Sequence, residues 1–367
     1  MNLNNLGWNE FFQHNFDKLG DANLIPARVA REHKEIYHVF SELGEMAAQV
    51  SGRYRFNCYS RADFPSVGDW VTIVPVVGES KAIIQNLLPR KTQFSRKAVL
   101  SPGETEEQIL SANIDIVFIV TGLDGNFKIR RLERYVSIAY DSGAKPVIIL
   151  NKADLVDDFE QYIEKVKEIA IDLPIHPVSA RQKTGLENLT THLETGKTAV
   201  FLGSSGVGKS TIINGLIGTE LLKTTDVRID DSRGRHTTTH REMILLDSGG
   251  IVIDTPGMRE IQAWDNQDGL SKTFSDIEEL VGHCKFTDCQ HNSEPGCAVK
   301  AAIEIGELDA HRFNNYLKLQ KEMKYLEARK DQRARLDRED KWKKIMVAHR
   351  KQAKFARKMK NRGSGSK

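Results

Sequence analysis

The sequence predicts an α/β chain of several domains: a small N-terminal β-barrel, a doubly wound parallel sheet, and a helical C-terminal module rich in Cys and His. Three observations carry that expectation. Short β-rich runs separated by turns fill residues 25–100. From about Ser111, apolar runs alternate with helical stretches. Three of the four cysteines, Cys284, Cys289 and Cys297, crowd with His291 into fourteen residues.

In the first region, Trp70-Val71-Thr72-Ile73-Val74 is a β-rich run after the turn Val67-Gly68-Asp69, and Pro75 stops it. Lys81-Ala82-Ile83-Ile84 reads as another strand. Arg53 to Cys58 alternates with period two, which predicts a strand with Tyr54, Phe56 and Cys58 on one face. Cys58 is expected to be a small core residue. Several strands in so short a span suggest a barrel, of which the oligonucleotide-binding type is one example.

In the second region, the apolar runs Ile114–Val120, Pro146–Leu150 and Ala199–Leu202 are each followed by a helical stretch, Ile129–Tyr140 and Lys209–Ile217 among them. Buried strands alternating with helices indicate a parallel sheet covered on both faces. Such sheets place ligand-binding loops after the strands.

Those loops carry recognisable chemistry. Gly203-Ser204-Ser205-Gly206-Val207-Gly208-Lys209-Ser210-Thr211 matches the pattern G-x-x-x-x-G-K-[ST]. Its glycines let backbone N–H groups turn toward a β-phosphate, and the helix that follows adds its positive end. Lys209 is placed to bridge β- and γ-oxygens, and the Ser210 hydroxyl to ligate Mg²⁺. Asn151-Lys152-Ala153-Asp154 follows an apolar run and separates guanine from adenine. A carboxylate only accepts hydrogen bonds, and guanine presents adjacent N1–H and 2-amino donors that adenine lacks. Asp154 therefore pairs with guanine, and Lys152 lies along the base. Ser179-Ala180 suits backbone support of the guanine O6.

Asp254-Thr255-Pro256-Gly257 follows Ile251-Val252-Ile253. An acid there holds Mg²⁺ through water, and the Gly257 N–H senses the γ-phosphate. Within Arg235–His240, Thr238 is the favoured second Mg²⁺ ligand. The position after Gly257 is Met258, which cannot orient a water, so hydrolysis is expected to be slow without a partner. His236 is a candidate water-positioning residue; a solvated loop histidine is the equal alternative. Ordinary GTPases place the phosphate loop before the guanine-reading loop. Here the order is Asn151, Ser179, Gly203, Thr238, Asp254, so the chain reads as a circularly permuted P-loop GTPase. Close domain termini make such permutation permissible.

Cys284, Cys289, His291 and Cys297 offer four N/S ligands, a set that suits a closed tetrahedral Zn²⁺ site of structural type. His283 reads as a surface residue. The chain's net charge is +3, yet residues 341–367 hold eleven Lys or Arg and no acid, leaving 42 cations against 50 acids elsewhere, a net of −8. A basic tail on an acidic body implies a polyanionic partner, nucleic acid foremost. Four cysteines are too few for a disulfide scaffold. No apolar run approaches the roughly 20 residues that span a bilayer, and the N-terminus lacks an apolar signal core, so a cytoplasmic protein without membrane contact is expected.

Taken together, these residues resemble the family of ribosome small-subunit-dependent GTPase A, over about Ile25 to Leu326. The resemblance implies an N-terminal oligonucleotide-binding barrel, a circularly permuted GTPase domain and a C-terminal zinc domain. It further implies GTP hydrolysis to GDP with Mg²⁺, binding of the small ribosomal subunit and its rRNA in the GTP state, a role late in subunit maturation, and a monomer. The expected division is an extension over residues 1–24, the barrel over 25–108, the GTPase domain over 109–270, the zinc domain over 271–334 and the basic tail over 335–367. Rival readings are a GTP-dependent RNA-binding module in which hydrolysis is incidental, an ATP-using phosphotransferase, which Asp154 opposes, and a DNA-binding zinc protein.

Overall fold

The structure is a computed structural model that describes residues 1–33, 35–101, 104–170, 172–219, 241–254, 267–292 and 294–325. Five strands, β1 (Ile25–His33), β2 (Ile36–Ser41), β3 (Gly44–Val50), β4 (Trp70–Pro75) and β5 (Lys81–Leu87), run in the order β1-β2-β3-β5-β4. β4 also pairs with β1, which closes the expected barrel. Inward positions alternate with outward ones along β2, and Val29, Tyr37, Val39, Val71, Ile73 and Ile84 fill the interior.

The N-terminal residues are part of this body. Leu3, Leu6 and Phe12 bury against Trp70 and Leu88. Helix α1 (Glu10–Asp17) starts at Asn9, whose side chain accepts the Phe11 N–H at 3.0 Å. The guanidinium of Arg28, 1% exposed, donates to the carbonyls of Gly68 (3.1 Å), Asn113 (3.0 Å) and Leu6. Burial pulls its pKa down to about 10 against the opposing pull of Asp115 and Asp69, so it stays charged at neutral pH. One side chain thus satisfies carbonyls from three separate segments.

The strand expected over Arg53–Cys58 is instead helix α2 (Gly52–Asn57). Ser51 accepts the Tyr54 N–H at 3.1 Å and starts the turn. Tyr54 packs on Phe64, while Phe56 is 86% exposed, so the period-two alternation has no buried sheet face to serve. Cys58 is correspondingly half-exposed at the helix end rather than in the core. An unanticipated hairpin, β6 (Gln93–Ser101) and β7 (Glu104–Ala112), forms a separate two-stranded sheet.

The strands after β7 form the doubly wound part, which is continuous with the barrel strands in one eleven-stranded sheet. β8 (Ile116–Gly122), β9 (Lys145–Asn151), β10 (Ile175–Val178), β11 (Thr198–Leu202) and β13 (Ile251–Asp254) are parallel, and β12 (Glu242–Leu245) is antiparallel to β13. The order is β10-β9-β8-β11-β13-β12. Every residue of β8 and β11 is buried, as a sheet covered on both faces requires. α3 (Ile129–Asp141) and α4 (Glu160–Lys167) contribute to one apolar cluster, α5 (Leu186–Thr190) and α6 (Lys209–Ile217) to another. Chain order runs outward from β8 to β10 and then returns to β11 on the other side. The strand order therefore reverses between β8 and β11, where open sheets of this type bind ligands at the carboxyl ends.

Helices α7 (Gln267–Thr273), α8 (Ser275–Gly282) and α9 (Ala298–Glu304) follow, and residues 310–325 are helical. Tyr316, Leu319 and Met323 of that helix are buried; Leu326 and the basic tail lie outside the described residues. Glu133 of α3, fully buried, accepts Arg312 Nη1 at 2.7 Å and Asn315 at 2.6 Å, and Arg312 also pairs with Asp276 at 2.8 Å. This network fastens α3 to the C-terminal helices. Among the described residues, no helix is long and apolar enough to cross a membrane.

Arg28→Ala takes a charged donor from three buried carbonyls, of which Gly68 keeps the Asn113 Nδ2–H at 3.1 Å while those of Leu6 and Asn113 lose the guanidinium, and it is expected to lower unfolding stability by about 3 kcal/mol or more. Denaturant unfolding checks this; a loss under about 1 kcal/mol would show that the carbonyls find other partners.

Candidate nucleotide site and metal centre

Asn151, the last residue of β9 and 2% exposed, joins the loops at the carboxyl edge of the sheet. Its Nδ2–H donates to the Val207 carbonyl at 2.7 Å, and its Oδ1 accepts the Ala180 N–H at 3.1 Å. One amide therefore ties the glycine-rich loop to the Ser179-Ala180 turn. Gly208 caps α6 at φ +96°, and a Cβ there would lie 2.2 Å from Asn151 Nδ2. Both the backbone conformation and the close approach exclude any side chain at position 208.

Helix α6 begins at Lys209, as expected, with Ser210 and Thr211 in its first turn. Lys209 Nζ donates to the carbonyls of Gly203 (2.7 Å) and Ser204 (2.8 Å), so the ammonium lies over the loop formed by Gly203, Ser204, Ser205, Gly206 and Val207. On the other side, Asp154 Oδ1 accepts the Ser179 hydroxyl at 2.5 Å. Lys152 sits at φ +64°, in the left-handed region, and opens the short turn Ala153–Leu155. That conformation costs a lysine about 1 kcal/mol, a strain that clusters at functional sites.

Lys152 Nζ pairs with Asp124 at 2.6 Å. Burial pushes the Asp124 carboxyl up, but the Lys152 ammonium and the Asn126 N–H outweigh it and hold the group below the usual carboxylate range. Asp254 ends β13, one strand beyond the loop-bearing β11. His236, Thr238 and Gly257 lie outside the described residues. Two residues at this edge were not foreseen. Asp124 follows β8, and position alone, just past the carboxyl end of an apolar strand, could have marked it. Arg131 of α3 donates Nη1 to the Ser204 hydroxyl at 3.0 Å, and nothing in the local sequence pointed to that contact.

The four predicted metal ligands come together. Their ligand atoms all lie within 4.8 Å of one another. Cys284 Sγ is 3.9 Å from Cys297 Sγ and 3.6 Å from His291 Nδ1, and Cys297 Sγ is 3.5 Å from His291 Nδ1. A tetrahedral ion at ordinary Zn–S and Zn–N lengths has edges of about 3.8 Å between sulfurs and about 3.6 Å from sulfur to nitrogen. The donor set and spacing therefore fit such an ion. Burial pushes the Cys284 thiol up, but N–H groups of Val299 and Ala298 and the neighbouring thiols bring it below the usual range, toward the ligating thiolate. Cys297 caps α9 and accepts the Lys300 N–H at 3.5 Å. His283 is outside the cluster and hydrogen-bonds the Glu279 carbonyl.

Asn151→Ala leaves the Val207 carbonyl and the Ala180 N–H without this partner, a loss of about 1–3 kcal/mol. Guanine-nucleotide affinity is expected to fall roughly ten- to hundredfold, read by titration with a fluorescent GDP; unchanged affinity would separate the amide from the site.

The RsgA GTPase family profile matches residues 87–264. The small ribosomal subunit biogenesis GTPase RsgA 1 of Oceanobacillus iheyensis is 42% identical over 352 residues, covering 96% of this chain and 99% of the relative. The small ribosomal subunit biogenesis GTPase RsgA 2 of Listeria monocytogenes is 46% identical over 351 residues, covering 95% and 97%. Among solved structures, YjeQ from Thermotoga maritima superposes with a TM-score of 0.60 at 28% identity, covering 82% of this chain and 98% of its own. YloQ, described as a circularly permuted GTPase, gives 0.60 at 25% identity, covering 83% and 96%. The permuted order of loops around Asn151 is thus a shared architecture, and the chain belongs to the RsgA GTPase family.

Proposed function

We propose that the chain hydrolyses GTP in the late maturation of the small ribosomal subunit, docking on the subunit and its rRNA with GTP bound and leaving after hydrolysis. The observation that carries the nucleotide reading is the Asn151 amide, which holds the glycine-rich loop beside the Asp154–Ser179 pair. The names of the relatives carry the subunit. In this reading Asp154 and Lys152 receive guanine, with Ser179 and Ala180 beside its O6. Gly203 to Thr211 hold the phosphates. Ser210, Thr238 and Asp254 serve Mg²⁺, while His236 and Gly257 face the attacking water and the γ-phosphate. A division near residues 108, 270 and 334 belongs to the same reading, with the extension over 1–24 packed onto the barrel, as do a cytoplasmic monomer and a basic tail that grips rRNA phosphates.

Cys284, Cys289, His291 and Cys297 would hold one structural Zn²⁺, which supplies fold stability rather than chemistry. The chain itself orders the ligands through the start of α9 and the turn at His291. Mass spectrometry under native conditions should find about one zinc per chain, and chelation should lower the melting temperature. A metal-free chain of equal stability would remove the zinc assignment.

Sedimentation with purified subunits tests the partner. The chain is expected to pellet with small and not large subunits, and better with a non-hydrolysable GTP analogue than with GDP. Equal pelleting with both subunits, or none with either, contradicts the proposal.

A further inference from the structure

The first turn of α3 breaks a local rule. Its N-terminal end carries Lys128, Arg130 and Arg131 and no acid, although the positive end of a helix dipole disfavours cations. Arg130 has its compensation: it pairs with Glu133 at 3.0 Å and with Asp309 at 2.7 Å. Arg131 has no such partner. Among the described residues its guanidinium forms no ion pair, and its hydrogen bond goes to the hydroxyl of Ser204, inside the glycine-rich loop. Lys209 Nζ bonds the carbonyl of the same Ser204 at 2.8 Å. Two cations from different elements thus converge on one loop residue. A local conflict of this kind, held in place by the surrounding structure, marks a functional position.

α3 is also held firmly. Glu133, two residues along and so on the other side of the helix, is buried and engaged by Arg130, Arg312 and Asn315. Leu132 and Val136 lie in the apolar cluster on that face of the sheet. Arg131 is therefore delivered to the loop by a helix clamped on its opposite side.

We propose that Arg131 is a further catalytic residue: an arginine supplied by the chain's own α3 that moves from the Ser204 hydroxyl to the phosphate oxygens of GTP. The proposal rests on the nucleotide reading of the Gly203–Thr211 loop. In the reaction a water oxygen bonds the γ-phosphorus, the bond from that phosphorus to the β–γ bridging oxygen breaks, and the bridging electrons remain on GDP. The proton of the water passes to the released phosphate. Negative charge grows on the bridging oxygen as that bond lengthens, and the planar guanidinium fork suits two such oxygens at once. Met258 stands where many GTPases carry a water-orienting glutamine and cannot orient a water itself, which raises the share of the acceleration that charge stabilisation has to supply.

The test compares wild type, Arg131→Ala, Arg131→Lys and Lys209→Ala, each as the full chain. Single-turnover GTP cleavage, with and without small subunits, is read beside the affinity for GDP and for GDP with aluminium fluoride, which imitates the transferring phosphoryl group. Arg131→Ala is expected to bind GDP within about threefold of wild type, to lose roughly 10³-fold in cleavage rate, and to lose its preference for the aluminium fluoride complex. Arg131→Lys should recover only a small part of the rate, because a point charge lacks the fork. Arg131→Ala cleaving at the wild-type rate, or losing rate while keeping full aluminium fluoride affinity, overturns the proposal; the second outcome would make Arg131 a structural strut. Lys209→Ala keeping wild-type GTP affinity would instead overturn the nucleotide reading itself.

Discussion

One side-chain amide constrains the whole site. Asn151 spends its donor on the Val207 carbonyl and its acceptor on the Ala180 N–H. Because both bonds are buried, each loop end is fixed to about the precision of a hydrogen bond, and neither can drift without stranding a polar group. Gly208 follows from this, since any side chain there would collide with the amide. The left-handed Lys152 and its pair with Asp124 follow too, because the chain must turn sharply out of β9 to present Asp154 beside Ser179. The glycine-rich loop and the Asp154–Ser179 pair are thereby geometrically one site although their sequence is split and reversed.

The surrounding body makes that constraint usable. The sheet supplies loops at the point where strand order reverses, and its buried central strands give them a rigid origin. Two buried guanidinium groups fasten distant segments around it. Arg28 joins the N-terminal segment, the barrel and the chain entering β8 through three carbonyls. Arg312 joins the C-terminal helices to α3 through Glu133 and Asp276. Both are largely buried, so each acts as a junction whose loss would leave unpaired polar groups rather than a simple surface contact. α3 then touches both regions: its Glu133 side meets the C-terminal helices, and Arg131 meets the glycine-rich loop.

Much of this was legible in the residues. The apolar runs of the parallel sheet, the helix opening at Lys209, and the cysteine–histidine cluster all carry strong patterns, since each must satisfy a demanding local chemistry. The barrel was legible from the number of short strands, but not which strands close it, because β4 returning to β1 is a long-range pairing no window contains. Arg53–Cys58 misled because short alternation is compatible with either period, and the Ser51 cap decided for helix. The N-terminal residues read as a polar extension, yet Leu3, Leu6 and Phe12 are core residues; three apolar side chains among many polar ones become a packing face only once Trp70 is brought beside them. Arg131 and Glu133 were invisible for the same reason, and Asp124 had only its position past an apolar strand to mark it. Their meaning lies in partners far along the chain.

If the separate base-reading and phosphate-holding loops form one guanine site, nucleotide competition will show it. Bound fluorescent GDP should be displaced by GTP at a concentration roughly 10³-fold or more below that needed for ATP, because adenine offers no donor pair to Asp154. Asp154→Ala should collapse that ratio toward one. ATP displacing the probe as readily as GTP in the unaltered chain, or an unchanged ratio in Asp154→Ala, would contradict the account.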